Sequence, residues 1–198
     1  MGRVVYYLSK AIALFLLLVF FRFRVRGREH FPRSGPCLIV ANHSSYLDPI
    51  VVGCACPRRV YFVAKEELFR NPVAAFFLRQ LGAFPLRRGE KDVSAIKRVL
   101  SLLREGKVVC LFPEGTRNQG EVSDFKPGVV KLLIKAGVPV VVAGIRGTFE
   151  SFPRGRSFPK PFPITVAFSP PLFLTSGEPE AVENEVKSKM KELIQVVS

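Results

Sequence analysis

The chain has 198 residues, enough for one α/β domain with a sizeable core and too few for two. A formal net charge of +14 on a chain that is 48% hydrophobic excludes disorder and implies a polyanionic partner, either nucleic acid or an anionic membrane surface. The hydrophobic content favours the membrane, and no nucleic-acid motif is recognisable.

From Val4 to Phe21 only Ser9 and Lys10 interrupt an apolar stretch. As a helix it would be about 27 Å long at ~1.5 Å per residue, just short of an untilted bilayer crossing. Lys10 deep in hydrocarbon would cost about 2.5–3.5 kcal/mol unless it snorkels, so the segment either spans or lies in one leaflet. No small-residue cleavage site follows, and the segment is expected to be retained. Arg22, Arg24, Arg26 and Arg28 come next, a cluster that places the following domain on the cytoplasmic side. Their alternation with Phe23, Val25 and Gly27 also suits an exposed edge strand. The organisation read from this is a membrane-anchoring helical segment over 1–22 and one folded domain over 23–198.

Within the domain, Cys37 to Ala41 is an apolar run that ends at Asn42-His43-Ser44-Ser45-Tyr46-Leu47-Asp48. Pro49 to Ala55 reads as a short helix with proline in its first turn and Asp48 as its cap. A strand over Arg59 to Ala64 and a helix over Glu66 to Leu81, closed by Gly82, come next. Phe84 to Leu86 is a short strand leading to Arg87 and Arg88, and Val93, Ile96, Leu100 and Leu103 mark an amphipathic helix. The strand from Lys107 to Phe112 delivers a second polar cluster, Phe112-Pro113-Glu114-Gly115-Thr116-Arg117, about seventy residues after the first. Pro127 is read as opening a helix that Gly137 closes, and Val138 to Ala143 as another buried strand.

Thr148 to Pro163 is a loop in which Phe149, Phe152 and Phe158 alternate with Arg154, Arg156 and Lys160. It either meets a membrane interface or folds its phenylalanines inward. Ile164 to Phe168 is the last strand. Thr175 or Ser176 caps a final helix whose stripe of Val182, Val186, Met190, Leu193 and Val197 is core packing. Alternating strands and helices predict an α/β fold with a mostly parallel central sheet flanked by helices. Cys37, Cys54, Cys56 and Cys110 sit in or beside apolar runs, so they read as buried reduced thiols and not as a disulfide framework or metal ligands.

His43 and Asp48 would lie about 140° apart on one continuous helix, so they meet only if the chain turns between them. A strand end followed by a helix start supplies that turn. Asp48 would then fix the imidazole tautomer while the other ring nitrogen faces substrate as a general base. Ser44 and Ser45 lack the Gly-x-Ser-x-Gly elbow of a serine nucleophile, so the substrate's own hydroxyl is the nucleophile. Arg117, with the backbone N–H groups of Gly115 and Thr116, suits a phosphate. Glu114 would repel that phosphate and is assigned to a glycerol hydroxyl or to holding an arginine.

His-x4-Asp followed by Phe-Pro-Glu-Gly-Thr-Arg, in this order, resembles the 1-acyl-sn-glycerol-3-phosphate acyltransferase family of the glycerolipid acyltransferases. The resemblance runs from about Val25 to Pro170. It implies the glycerol-3-phosphate acyltransferase-like fold and a His43–Asp48 dyad that works without metal or cofactor. It also implies transfer of a fatty acyl group from acyl carrier protein or coenzyme A to lysophosphatidic acid. The family's third motif matches Gly82 to Arg88 and implies Arg88, or its neighbour Arg87, as a second phosphate ligand. A fourth matches Val138, Pro139 and Val140 and implies that they line the acyl site. Glycerol-3-phosphate or another lysolipid as acceptor is the alternative within the class, and a non-enzymatic basic protein binding membranes or nucleic acid the alternative outside it.

Overall fold

A computed structural model describes residues 2–70, 72–80, 82–86, 93–119, 121–126, 128–175 and 177–196. Seven strands form a single sheet: β1 (Arg24–Arg26), β2 (Cys37–Ala41), β3 (Val60–Lys65), β4 (Ala83–Leu86), β5 (Val108–Leu111), β6 (Val140–Arg146) and β7 (Thr165–Phe168). Their order is β1-β7-β6-β2-β5-β3-β4, and every pairing is parallel except β6 with β7. The central strands β2 and β5 are buried along their whole length, as continuous apolar runs require when both faces are covered.

Alternate residues of each strand feed two cores. Ile39, Ala41, Cys110, Val141, Val166 and Phe168 face α1 (Gly2–Phe21) and α2 (Asp48–Ala55), with α3 (Pro72–Gln80) beside them. Leu38, Val40, Val109, Val140 and Val142 face α4 (Val93–Arg104), α5 (Val129–Ala136) and α7 (Pro179–Val196). A single turn, α6 (Thr148–Ser151), follows β6. All four cysteines are free and buried.

Several elements differ from the sequence reading. The helix expected over Glu66 to Leu81 is a 3-10 turn, Glu66–Phe69, followed by α3, because Pro72 has no N–H to continue a helix from the preceding turn. Asp48 is the first residue of α2 and not its cap; Leu47 holds the cap position. The helix expected at Pro127 begins at Val129 after Gly128, whose φ of 91° is the left-handed conformation that glycine tolerates. β6 starts two residues later than expected, after Pro139, and runs three residues further. Arg87 and Arg88, the expected second phosphate ligands, lie outside the described residues, as do Pro127, Ser176 and Val197.

The apolar stretch Val4–Phe21, with mean hydropathy 2.3, is long and apolar enough to cross a membrane. It is nonetheless docked on the domain along one side. Tyr6 and Leu17 are buried, and the Lys10 ammonium donates to the Cys56 carbonyl at the end of α2 at 2.6 Å. Phe21 at the other end accepts a backbone hydrogen bond from Ile164, just before β7, at 2.9 Å. The outer side shows Val4, Leu8, Ile12, Phe15 and Val19.

β6 passes directly under the last turn of α7 at Gly144. A methyl group there would meet Leu193 Cβ at 2.7 Å and the Ile194 backbone nitrogen at 2.9 Å, neither of which moves without shifting the helix. Gly144→Val is therefore expected to destabilise the fold by about 1–3 kcal/mol through overpacking, measured by chemical denaturation. An unchanged midpoint would show that α7 does not hold β6 this closely.

Candidate active site

β2 and β5 are neighbours in parallel register, Val40 opposite Leu111, so the two polar clusters that follow them emerge side by side at the same end of the sheet. This is the position at which an open parallel sheet presents residues to a ligand. Backbone hydrogen bonds stitch the clusters together around one residue. The His43 N–H donates to Glu114 Oε2 at 3.0 Å, and the His43 carbonyl accepts from the Asn118 N–H at 2.8 Å. Asn42, buried, extends the ladder on the other side, donating through Nδ2 to the Ile145 carbonyl at 2.9 Å and accepting from the Ile145 N–H at 2.8 Å.

With its backbone held, His43 brings Nδ1 to 2.8 Å from Asp48 Oδ2. Asp48 is fully buried, and the same oxygen accepts the N–H groups of Ser44 and Ser45, each at 2.7 Å. Three converging donors fix the carboxylate in place. Since a carboxylate only accepts, Nδ1 carries the proton, and Nε2 presents its lone pair with no protein partner among the described residues. Phe112 stacks on the imidazole at a centroid separation of 4.3 Å and 25° between planes, which blocks one ring face from water.

The serines are engaged elsewhere. Ser44 Oγ pairs with Thr148 Oγ1 at 3.1 Å, while Ser45 Oγ donates to the Phe152 carbonyl at 2.8 Å and accepts from the Leu47 N–H. Neither hydroxyl is hydrogen-bonded to His43, as a serine nucleophile would need to be.

Glu114 is buried, and among the described residues its partners are the N–H groups of His43 and Ser123 together with Asn118, not an arginine. Burial pushes its carboxyl above the usual carboxylate range against the opposing pull of these donors. These contacts tie one loop to the other. Gly115, at φ 66°, turns the second cluster, and the Lys126 side chain lies where a side chain at Gly115 would have to be. Thr116 is exposed. The Arg117 guanidinium lies 3.5 Å over the Tyr46 ring, and its Nη1 is buried without a partner among the described residues. A buried cationic N–H without an acceptor can donate to an anion.

Val138, Pro139 and Val140 are not brought to this site. They stand at the start of β6, where Val140 pairs with Leu38 and packs in the second core, about 16 Å of strand away from His43. Tyr46, Phe112 and Lys126 were missed as site residues by sequence reasoning. Their signal was only that an aromatic or a lysine stood in or beside a motif.

The α/β domain thus presents an Asp-oriented histidine on one loop and, on the loop stitched to it, an arginine with one buried N–H left unpaired among the described residues. Residues 22–146 match the model of the family described as Acyltransferase, and the chain belongs to that family. It is 34% identical over 137 residues to the 1-acyl-sn-glycerol-3-phosphate acyltransferase of Bacillus subtilis, covering 67% of this chain and 68% of that one. It is 29% identical to the chloroplastic 1-acyl-sn-glycerol-3-phosphate acyltransferase BAT2 of Brassica napus, covering 98% of this chain and 57% of that one. The chain thus spans about half the length of the chloroplastic relatives it matches. The crystal structure of the 1-acyl-sn-glycerophosphate acyltransferase PlsC from Thermotoga maritima superposes with a TM-score of 0.79 at 28% identity, covering 97% of this chain and 79% of that one.

Ser44→Ala removes one neutral hydrogen bond and is expected to cost about 0.5–1.5 kcal/mol of stability while acyl transfer persists. Mass spectrometry of the wild type stopped in turnover should find no acyl group on Ser44 or Ser45. A trapped acyl-serine would contradict the arrangement described above.

Proposed function

We propose that the chain is a 1-acylglycerol-3-phosphate O-acyltransferase that moves a fatty acyl group from acyl carrier protein or coenzyme A to the sn-2 hydroxyl of lysophosphatidic acid, giving phosphatidic acid for phospholipid biosynthesis. The observation that carries this reading is the His43 Nδ1 to Asp48 Oδ2 bond of 2.8 Å, in a loop stitched to the one that bears Arg117. The names of the relatives supply the substrate class.

In this mechanism His43 Nε2 takes the proton of the acceptor hydroxyl as its oxygen attacks the thioester carbonyl carbon. Asp48, fixed by three donors, stabilises the imidazolium as it forms. The tetrahedral intermediate collapses, the carbon–sulfur bond breaks, and the imidazolium returns its proton to the departing thiolate. Direct transfer of this kind needs no enzyme nucleophile, consistent with the engagement of both serine hydroxyls. Arg117, backed by the Gly115 and Thr116 backbone, binds the acceptor phosphate, and Arg88 is carried over as its second ligand.

We also place the enzyme on the cytoplasmic face of the cell membrane, held by α1 lying in the surface. A helix with Lys10 bonded to the domain and one side packed on α2 supports lying in the interface over crossing it. The arginines from Arg22 onward suit anionic headgroups.

Folded His43→Ala should lose about 10²–10⁴ in turnover with lysophosphatidate as acceptor, the range general base catalysis supplies. Arg117→Leu should instead raise KM for the acceptor about 10- to 100-fold, the worth of a charge-assisted hydrogen bond, with a smaller effect on kcat. Full turnover in His43→Ala would remove the dyad from the mechanism, and a wild type inactive on both thioesters would move the protein to another acceptor or to a binding role.

A further inference from the structure

Ser151 and Lys160 close a neck. The Ser151 hydroxyl donates to the Lys160 carbonyl at 2.8 Å, and the Lys160 N–H donates to the Ser151 carbonyl at 2.9 Å. The residues between them leave the domain as a short excursion that turns at Gly155, where φ is 91°. Phe158 is held outward at 80% exposure, and Phe162, just beyond the neck, is 37% exposed. Phenylalanine is normally buried, so an excursion pinned at its base that shows one this fully has a surface to meet. The alternative of inward-folded rings applies only to Phe149 and Phe152, which are partly buried.

The excursion joins two landmarks. At its start the Phe152 carbonyl accepts from Ser45, and the Phe152 ring lies 6.2 Å from that of Tyr46, beside the dyad. At its end Ile164 donates to Phe21, the last residue of α1, whose final turns expose Val19 and Phe20. Arg154, Arg156 and Lys160 are exposed along the same segment. Aromatic rings interleaved with cations, continuous with an exposed apolar helix end, match the polarity profile of an anionic bilayer surface, with rings at the acyl boundary and cations among phosphates.

We propose that residues 152–162 form a second membrane contact, inserting Phe158 and Phe162 into an anionic phospholipid leaflet. Together with α1 they hold the mouth of the His43 site at headgroup depth. The inference rests on the membrane reading above and not on the transfer chemistry.

The chain contains no tryptophan, so Phe158→Trp installs a single reporter in the full-length protein. Phe173→Trp serves as its control, since Phe173 is 69% exposed next to Leu172, which bridges to Val140 at the opposite end of β6. Vesicles of equimolar phosphatidylglycerol and brominated phosphatidylcholine are added, and cosedimentation reports binding in the same samples. Emission from Trp at 158 should move to the blue and fall by about half or more, while that at 173 stays unchanged. Adding Arg154→Glu and Arg156→Glu should raise the anionic lipid needed for half-maximal quenching by about tenfold or more. Bound protein with unquenched emission at 158 would overturn the proposal and leave α1 as the contact. Equal quenching on pure phosphatidylcholine would overturn its electrostatic part, and absence of binding would overturn it together with the membrane reading. A blue shift that grows with protein concentration without vesicles would assign the surface to a second copy of the chain. Acyl transfer is not read in this experiment, so its outcome leaves the enzymatic reading where it stands.

Discussion

The site depends on the parallel pairing of β2 with β5. Two loops far apart in sequence become neighbours only because their strands run side by side in the same direction, and His43 is clamped by the second loop through both its N–H and its carbonyl. The proposed catalytic arrangement hangs from that clamp. It sets the direction of the imidazole, which lets Asp48 reach Nδ1, and the second loop also carries Arg117, the proposed anion ligand. Glu114 is the joint: a buried carboxylate whose oxygens accept N–H groups from His43 and Ser123. Burying a carboxylate is costly unless it is hydrogen-bonded, and the cost is offset here by fixing two loops in one geometry.

A base held this rigidly suits a reaction in which the enzyme contributes positioning and charge stabilisation and not a covalent intermediate. In the proposed reaction the acceptor lysolipid supplies the nucleophile, so the site would have to bring a membrane-resident hydroxyl to a fixed imidazole. The arrangement around the dyad fits that need. The first loop touches Phe152, where the excursion begins, and the excursion returns to the end of α1. The excursion proposed to meet the bilayer is thus hydrogen-bonded to the loop that bears His43 through the Ser45 hydroxyl, and to α1 through the Ile164 N–H.

Much of the fold was legible because buried parallel strands are unbroken apolar runs and the helices between them carry three-and-four stripes. The reversed direction of β7 was not, since hydropathy carries no sign of strand polarity. Pro72 split an expected helix because a residue-type pattern that looked continuous hid a missing N–H. At the site, the pairing of His43 with Asp48 was readable once a strand end and a helix start were placed between them, which supplies the turn that brings Nδ1 to Oδ2. The bonds of Glu114 to the His43 and Ser123 N–H groups and to Asn118 were not legible, because tertiary structure brings those groups together and a charge argument considers only charged neighbours. Tyr46 went unnoticed for a similar reason: a ring beside a histidine gains meaning only once Arg117 lies 3.5 Å above it.

The central claim is that Asp48 fixes His43 as the Nδ1–H tautomer with Nε2 free to act as base. The chain has two histidines, so nitrogen-detected NMR of the labelled protein, with His30→Gln to assign the signals, observes that tautomer directly. The hydrogen bonds to Asp48 Oδ2 predict a protonated Nδ1 and an unprotonated Nε2 for His43 at neutral pH, with the preference lost in Asp48→Ala. A protonated Nε2 with a free Nδ1, or a tautomer indifferent to Asp48→Ala, would contradict it.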